Sequence, residues 1–115
     1  MKAKYQNLIR GDVVWANLSP SRDSEQRELR PVIVLTPQVY HARSGIIVVC
    51  PITSQSKGYP FEVPLPLSGT VKGVALCDQV RSIHAASRVK GYVGQVSAKT
   101  LTEIEDKLKI LLQFK

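Results

Sequence analysis

Ser24–Pro37 reads SEQRELRPVIVLTP. Five side chains that ionise or carry an amide, Glu25, Gln26, Arg27, Glu28 and Arg30, run into Pro31 and then the apolar Val32, Ile33, Val34 and Leu35. Pro31 fixes its own φ and biases Arg30 toward an extended conformation, so the guanidinium leaves from the rim of a β-element. The apolar run suits a strand buried on both faces, although periodicity alone does not separate so short a run from buried helix. The stretch is a charged loop fixed to an apolar base. Arg30 is then either a solvated charge closing a hairpin or a group held in a reproducible position for chemistry.

Around this junction the chain has room for one core: 115 residues, 43% of them hydrophobic, set the expectation of a single domain over residues 1–115. Sixteen Lys and Arg against nine acids give a net charge of +7. Glu103, Glu105 and Asp106 are bunched near the C-terminus, which leaves the rest more basic still. A field of that sign concentrates polyanions, nucleic acid first and an acidic protein next. Cys50 and Cys77 form no CxxC and sit among apolar neighbours, the pattern of buried thiols in a reducing compartment. The N-terminal MKAKYQNLIRGD has no apolar core region, and nowhere do about 18 apolar residues run together. The expectation is a soluble, cytoplasmic chain with no membrane partner.

In order, Gly11-Asp12 turns the chain into a first strand from Val13 to Leu18, with Trp15 expected in the core. Ser19–Leu29 is a long polar loop, and Arg30–Thr36 is the second strand. Gln38–Ser44 reads as an irregular or single-turn helical connection, and Ile46–Cys50 as a third strand that Pro51 ends or marks as an edge. Thr53–Gly58 is a second polar loop, and Tyr59–Leu67, with three prolines, is an edge strand. Val74–Ile83 is strand-like but carries Asp78 and Gln79 mid-run, where buried polar groups need partners. A short segment from Arg88 to Val93 follows. From Ser97, an N-cap residue, the spacing Leu101, Ile104, Leu108, Leu111 and Leu112 predicts an amphipathic helix that covers the sheet. The fold class is therefore mainly β, a small antiparallel, partly closed barrel with a C-terminal helix.

Metal chemistry needs clustered ligands, and His41 and His84 are isolated from each other and from the cysteines; no metal or other cofactor is expected. The chain also lacks a P-loop, GxGxxG and GxSxG. What remains is two polar loops that leave and enter one sheet, the first with Glu25 and Arg30, the second with Thr53, Ser54 and Lys57. Opening onto one basic surface, they would offer a phosphodiester an Arg for developing charge, hydroxyl donors and a carboxylate to take a proton. RNA brings its own nucleophile, the 2′-hydroxyl, so neither a metal nor a protein nucleophile is compulsory. The plainer alternative is a hydrogen-bonded loop pair that holds the barrel's end.

The motifs in order, Gly11-Asp12-Val13, Ser24-Glu25-Gln26 with Arg30-Pro31, Thr53 with Gln55–Val63 (QSKGYPFEV), Gly73-Val74 and Asp78-Gln79-Val80, resemble the MazF/PemK family of toxin endoribonucleases from bacterial toxin–antitoxin systems. The resemblance implies a homodimer of SH3-like barrels, of the type shared with gyrase-poisoning toxins, that cleaves single-stranded RNA without a metal and arrests translation and growth. It implies Arg30 and Thr53 as the catalytic pair. Glu25 is a third catalytic assignment that acts as base, positions the loop or contacts the antitoxin. Ser24, Gln79 and Lys57 are assigned to substrate, with an amide tie between adjacent strands the alternative for Gln79. An antitoxin with an acidic tail is the implied protein partner. Two rivals use the same barrel: a non-catalytic toxin that poisons a topoisomerase, and a passive nucleic-acid binder. Few aromatics interleave with the basic residues, which weakens the second.

Overall fold

The computed structural model describes residues 7–19, 29–66, 69 and 71–113. Strand β1 (Asp12–Asn17) pairs with β2 (Leu29–Val34), and helix α1 (Gln38–Ser44) leads into β3 (Ile46–Thr53). Then come β4 (Glu62–Pro64), β5 (Val74–Leu76), a 3₁₀ turn (Cys77–Gln79), β6 (Arg81–His84), α2 (Ala85–Arg88), β7 (Val89–Gln95) and α3 (Ala98–Leu112). The sheet is antiparallel, ordered β4-β5-β3-β2-β1-β7, with β6 also paired to β3.

The path β6-β3-β2-β1-β7 would hold its outer strands roughly 19 Å apart if it were flat. Yet α2 alone joins β6 to β7, and its helical residues rise only about 6 Å. The sheet must curl, and its interior shows the result. Val14 and Ala16 of β1, Val32 and Val34 of β2, Ile47 and Val49 of β3, Ile83 of β6 and Val89 of β7 form one buried cluster. This is the small antiparallel barrel that the turn-punctuated strands predict. One residue out of step, Val13, Ile33, Cys50 and Ile52 face outward and are covered by Val63, Ala75 and Ile104. The apolar run of β2 is thus buried on both faces, with Val32, Ile33 and Val34 all at 0% exposure. Cys50 and Cys77 are free thiols in the outer cluster, as expected.

Ser97 caps α3 by accepting the Thr100 N–H at 3.1 Å, and Leu101, Ile104 and Leu108 pack on the outer cluster. The predicted stripe stops there. Leu111 and Leu112 are exposed beside Ile110, because the packed outer cluster beneath the helix ends at Leu108.

Other expectations change with the pairing. Trp15 is 41% exposed, not core, because it faces outward between Pro31 and Gly91, neither of which can cover an indole. Strand β3 runs through Pro51 to Thr53. Leu35 N–H donates to the Val48 carbonyl, so Pro51 falls at a non-hydrogen-bonded pair with Val32. On the other edge β6 pairing ends at Val49 and β5 pairing begins at Ile52, so the missing N–H falls in a gap. Of the edge strand predicted over Tyr59–Leu67, only Glu62–Pro64 is strand among the described residues, Leu67 lying outside them, and α1 is a full helix. Asp78 and Gln79 are exposed in the 3₁₀ turn that separates β5 from β6, not buried mid-strand. His41 is a packing residue: its buried ring Nε2 donates to the Leu8 carbonyl. Among the described residues no helix is long and apolar enough to cross a membrane.

Candidate active site at the barrel rim

The inward rows of the barrel change character at one end. Along β2 the row is Val34, Val32, Arg30; along β3 it is Val49, Pro51, Thr53; along β6 it is Ile83, Arg81. The β2–β3 pairing ends at Val32 and Pro51, and two residues further along each strand, by alternation, Arg30 and Thr53 continue the inward rows. A guanidinium and a hydroxyl therefore line one rim, on strands locked beneath them by apolar packing.

The rim opens into a cavity of about 390 Å³, lined by Arg30, Thr53, Lys57 and Gln79 together with Gln55, Tyr59, Glu62, Asp78 and Arg81. Three cations and two carboxylates make it basic by one charge. Thr53 Oγ1 accepts the Gln55 N–H at 3.3 Å, which turns the chain out of β3. Behind it, β5 approaches only because residue 73 is glycine: at φ +116° an added Cβ would lie 2.0 Å from the Thr53 carbonyl oxygen.

The loop after Thr53 is shaped by one carboxylate. Glu62 accepts from the Ser56 hydroxyl at 2.7 Å, the Lys57 N–H at 3.0 Å and the Gly58 N–H at 3.2 Å. These donors, the Lys57 N–H foremost and then the Ser56 hydroxyl, hold its carboxyl below the usual range. Glu62 thereby presents Gln55, Lys57 and Tyr59 to the cavity. Arg81, also in the lining, donates to the Leu18 carbonyl at 3.2 Å, and outside the cavity Arg88 donates to those of Asn17 and Ser19 at 3.2 and 2.6 Å. Two arginines thus fix the chain where it leaves β1.

Residues 9–112 match the model of the PemK-like, MazF-like toxins of type II toxin–antitoxin systems. The chain belongs to the PemK/MazF toxin family. The endoribonuclease toxin MazF of Escherichia coli K12 is 43% identical over 103 residues, covering 89% of this chain and 91% of the relative. The crystal structure of MazF from Deinococcus radiodurans superposes with a TM-score of 0.84 at 40% identity, covering 93% of this chain and 97% of that one. A MazE–MazF structure from the same organism gives 0.81 at 37% identity, covering 94% and 97%.

Of the residues that the resemblance to this toxin family singles out, Arg30, Thr53, Lys57 and Gln79 line one cavity. Ser24 and Glu25 lie outside the described residues. Gln79 is exposed in the 3₁₀ turn, so it is not an amide tying two adjacent strands. Sequence reading gave no role to Arg81 or Gln55. For Arg81 the available signal was alternation: two residues before apolar Ile83 on a four-residue strand, it must share that residue's face. Among the described residues no three His, Cys, Asp or Glu side chains group as metal ligands.

Proposed function

We propose that this chain is a sequence-specific endoribonuclease, the toxin of a type II toxin–antitoxin pair, which cuts single-stranded RNA, chiefly mRNA, and so arrests translation and growth. The observation that carries the reading is that Arg30 and Thr53 line one basic cavity with Lys57 and Gln79. It is supported by 43% identity to an endoribonuclease toxin.

The reaction uses the substrate's own nucleophile. The 2′-hydroxyl oxygen forms a bond to the adjacent phosphorus while the bond from phosphorus to the 5′-oxygen breaks, giving a 2′,3′-cyclic phosphate and a 5′-hydroxyl. No metal is needed for that step. Arg30 donates to the non-bridging oxygens as negative charge accumulates; a guanidinium stays protonated, so its role is charge stabilisation and not proton transfer. The Thr53 hydroxyl donates to a second phosphoryl oxygen and steadies the scissile group. Glu25 takes the 2′-hydroxyl proton, and the leaving oxygen is protonated by water. Glu62 does not serve as base, because three donors already stabilise its charged form. Lys57 contacts a neighbouring phosphate, and Ser24 and Gln79 hold the substrate. One domain carries all of this.

The net charge of +7 favours an antitoxin with an acidic segment that lies in the same groove and competes with RNA. The active form is a cytoplasmic homodimer, and the exposed Ile110, Leu111 and Leu112 at the end of α3 supply apolar surface for such an assembly.

The test is incubation with long single-stranded RNA in EDTA, beside Arg30→Ala and Thr53→Ala, with cut positions and termini mapped. Discrete cuts leaving 5′-hydroxyl ends, reduced at least a hundredfold in both variants, are expected. Glu25→Gln in the same series tests the assigned proton acceptor. Intact RNA with a folded protein would overturn the reading and favour a toxin that poisons another protein.

A further inference from the structure

The rim that carries Arg30 and Thr53 has two sides. Arg30, Thr53 and Gln55 line the basic cavity, and the same three residues line a second groove of about 530 Å³. Strand alternation explains why. The cavity is floored by inward residues at the strand ends, whereas the second groove is floored by their outward neighbours Trp15, Pro31 and Ile52. Trp15 and Pro31 are register partners, so the floor crosses β1 and β2 without interruption. Lys72, exposed just before the tight turn at Gly73, also lines it.

Trp15 stands out among these residues. A large aromatic at 41% exposure, in a protein with one tryptophan, sits where its cross-strand neighbours are a proline and a glycine. Its Cδ1 lies 3.8 Å from where a Cβ on Gly91 would be, so residue 91 supports the ring edge without covering the ring. An uncovered indole with an ammonium group in the same groove is the pairing that binds one nucleotide of a single strand: the base stacks and its phosphate meets the cation.

We propose that the groove of Trp15 and Lys72 is a nucleotide subsite for RNA on the far side of the scissile phosphate from the Gln79 cavity. The strand passes over the rim, with its reacting phosphodiester at Arg30 and Thr53. On one side its nucleotides meet Lys57 and Gln79. On the other, a base stacks on Trp15 and a phosphate pairs with Lys72. This rests on the endoribonuclease reading for the direction of the strand. It adds a substrate contact, with Trp15 and Lys72 as positioning residues that act on affinity and on choice of cut site.

The experiment has two arms. In the first, an RNA spanning a mapped cut site is cleaved by the wild type, Trp15→Ala, Trp15→Phe and Lys72→Glu at several salt concentrations. Trp15→Ala is expected to raise KM on the order of tenfold with kcat within about twofold, and Trp15→Phe to restore most of the loss. Lys72→Glu is expected to raise KM and flatten its salt dependence by about one phosphate contact. Shortening the RNA on one side of the cut is expected to raise KM for the wild type but not further for Trp15→Ala. In the second arm, indole fluorescence of the wild type is titrated with the same RNA blocked by a 2′-O-methyl group at the cut nucleotide, and quenching is expected. Wild-type KM in Trp15→Ala with no quenching overturns the subsite while leaving the reaction intact. Unchanged RNA handling in Trp15→Ala together with weakened binding of an acidic peptide also overturns it and assigns the groove to a protein partner. If the wild type cuts no RNA, quenching by the blocked strand still supports the subsite, and its absence removes both readings.

Discussion

Gly73→Ala should damage this protein far more than a surface glycine substitution has any right to. At φ +116° an alanine is strained, and its Cβ would be 2.0 Å from the Thr53 carbonyl oxygen, 2.8 Å from its carbon and 3.0 Å from Ser54 Cα. Those are backbone atoms, so no side-chain rotation relieves the clash, and β5 must move away from β3 at Val74 and Thr53. The left-handed backbone costs about 1–2 kcal/mol and overpacking adds about 1–3 kcal/mol. Taken together, a loss of about 4 kcal/mol is expected, which lowers Tm by roughly 15 °C for a domain of this size. Gly45→Ala is the control: its φ is +75° with nothing within 4 Å of the added Cβ. It should lose only the left-handed cost of about 1–2 kcal/mol. Because the clash falls on the backbone of Thr53 itself, at the end of β3, RNA cleavage by Gly73→Ala, measured at a temperature where it is folded, should fall on the order of a hundredfold, the scale of a displacement of about 1 Å. Urea and thermal melts of both variants beside initial cleavage rates make the comparison. A Gly73→Ala protein that melts with Gly45→Ala and cuts at the wild-type rate would refute the claim that this close approach positions Thr53.

Two further outcomes follow from the ionisable groups. Donors from Lys57 and Ser56 hold the Glu62 carboxyl below its ordinary 4.5, so its contribution is whole above that value and is lost as pH falls through the lower folded one. Glu62→Gln should therefore be less stable than wild type near neutral pH, and the gap in Tm should close in acid; Glu62→Ala should also raise KM and blur the cut sites, read by mapping fragment ends. Burial pushes the Cys77 thiol up to about 11 and raises Cys50 further, with Cys77 beside it as the lesser cause. A raised thiol contributes fully below its unfolded value of 9.0 and loses that contribution as pH rises through the folded one. Urea midpoints should fall over that window, less steeply in Cys77→Ala, and native thiols should react at pH 8 no faster than the chain unfolds.

The parts of the fold legible in the sequence are those set by local pattern. Val32–Val34 could be read as buried on both faces because no polar residue interrupts them, and Ser97 as a cap because its hydroxyl precedes a helical spacing. Trp15 was misplaced because size and apolarity do not say which face of β1 it occupies; that depends on Pro31 and Gly91, distant in sequence. Pro51 reads in the sequence as a strand end or an edge position because the usual cost of a missing N–H assumes a continuous neighbour, and here two different strands leave a gap beside it. Asp78 and Gln79 looked buried only because strand-like residues flank them on both sides, whereas the 3₁₀ turn lets them out to solvent. The convergence of Arg30, Thr53, Lys57 and Gln79 on one cavity is reachable from motif order; for Arg81 alternation with Ile83 gives the face, but its place beside the cavity depends on a pairing with Val49.

Hydrogen-bond saturation sorts the charges of the cavity more finely than their residue types do. Glu62 is a carboxylate in a nuclease-like pocket and would pass for a general base on composition alone, yet each of its three donors would have to give up a charged acceptor before it could accept a proton. Its charge is spent on the loop that displays Lys57. Arg81 commits a donor to the Leu18 carbonyl and keeps others for the cavity, so it both fixes the chain leaving β1 and adds to the positive field. Arg30 differs from both in origin. It is held by its strand, as the polar continuation of a row whose next members, Val32 and Val34, are fully buried. A group positioned by backbone packing would keep its donors for a phosphate whose charge grows only in the transition state, which is the role proposed above for Arg30. On that proposal the stiffness of the apolar row is what leaves the arginine able to respond to that charge.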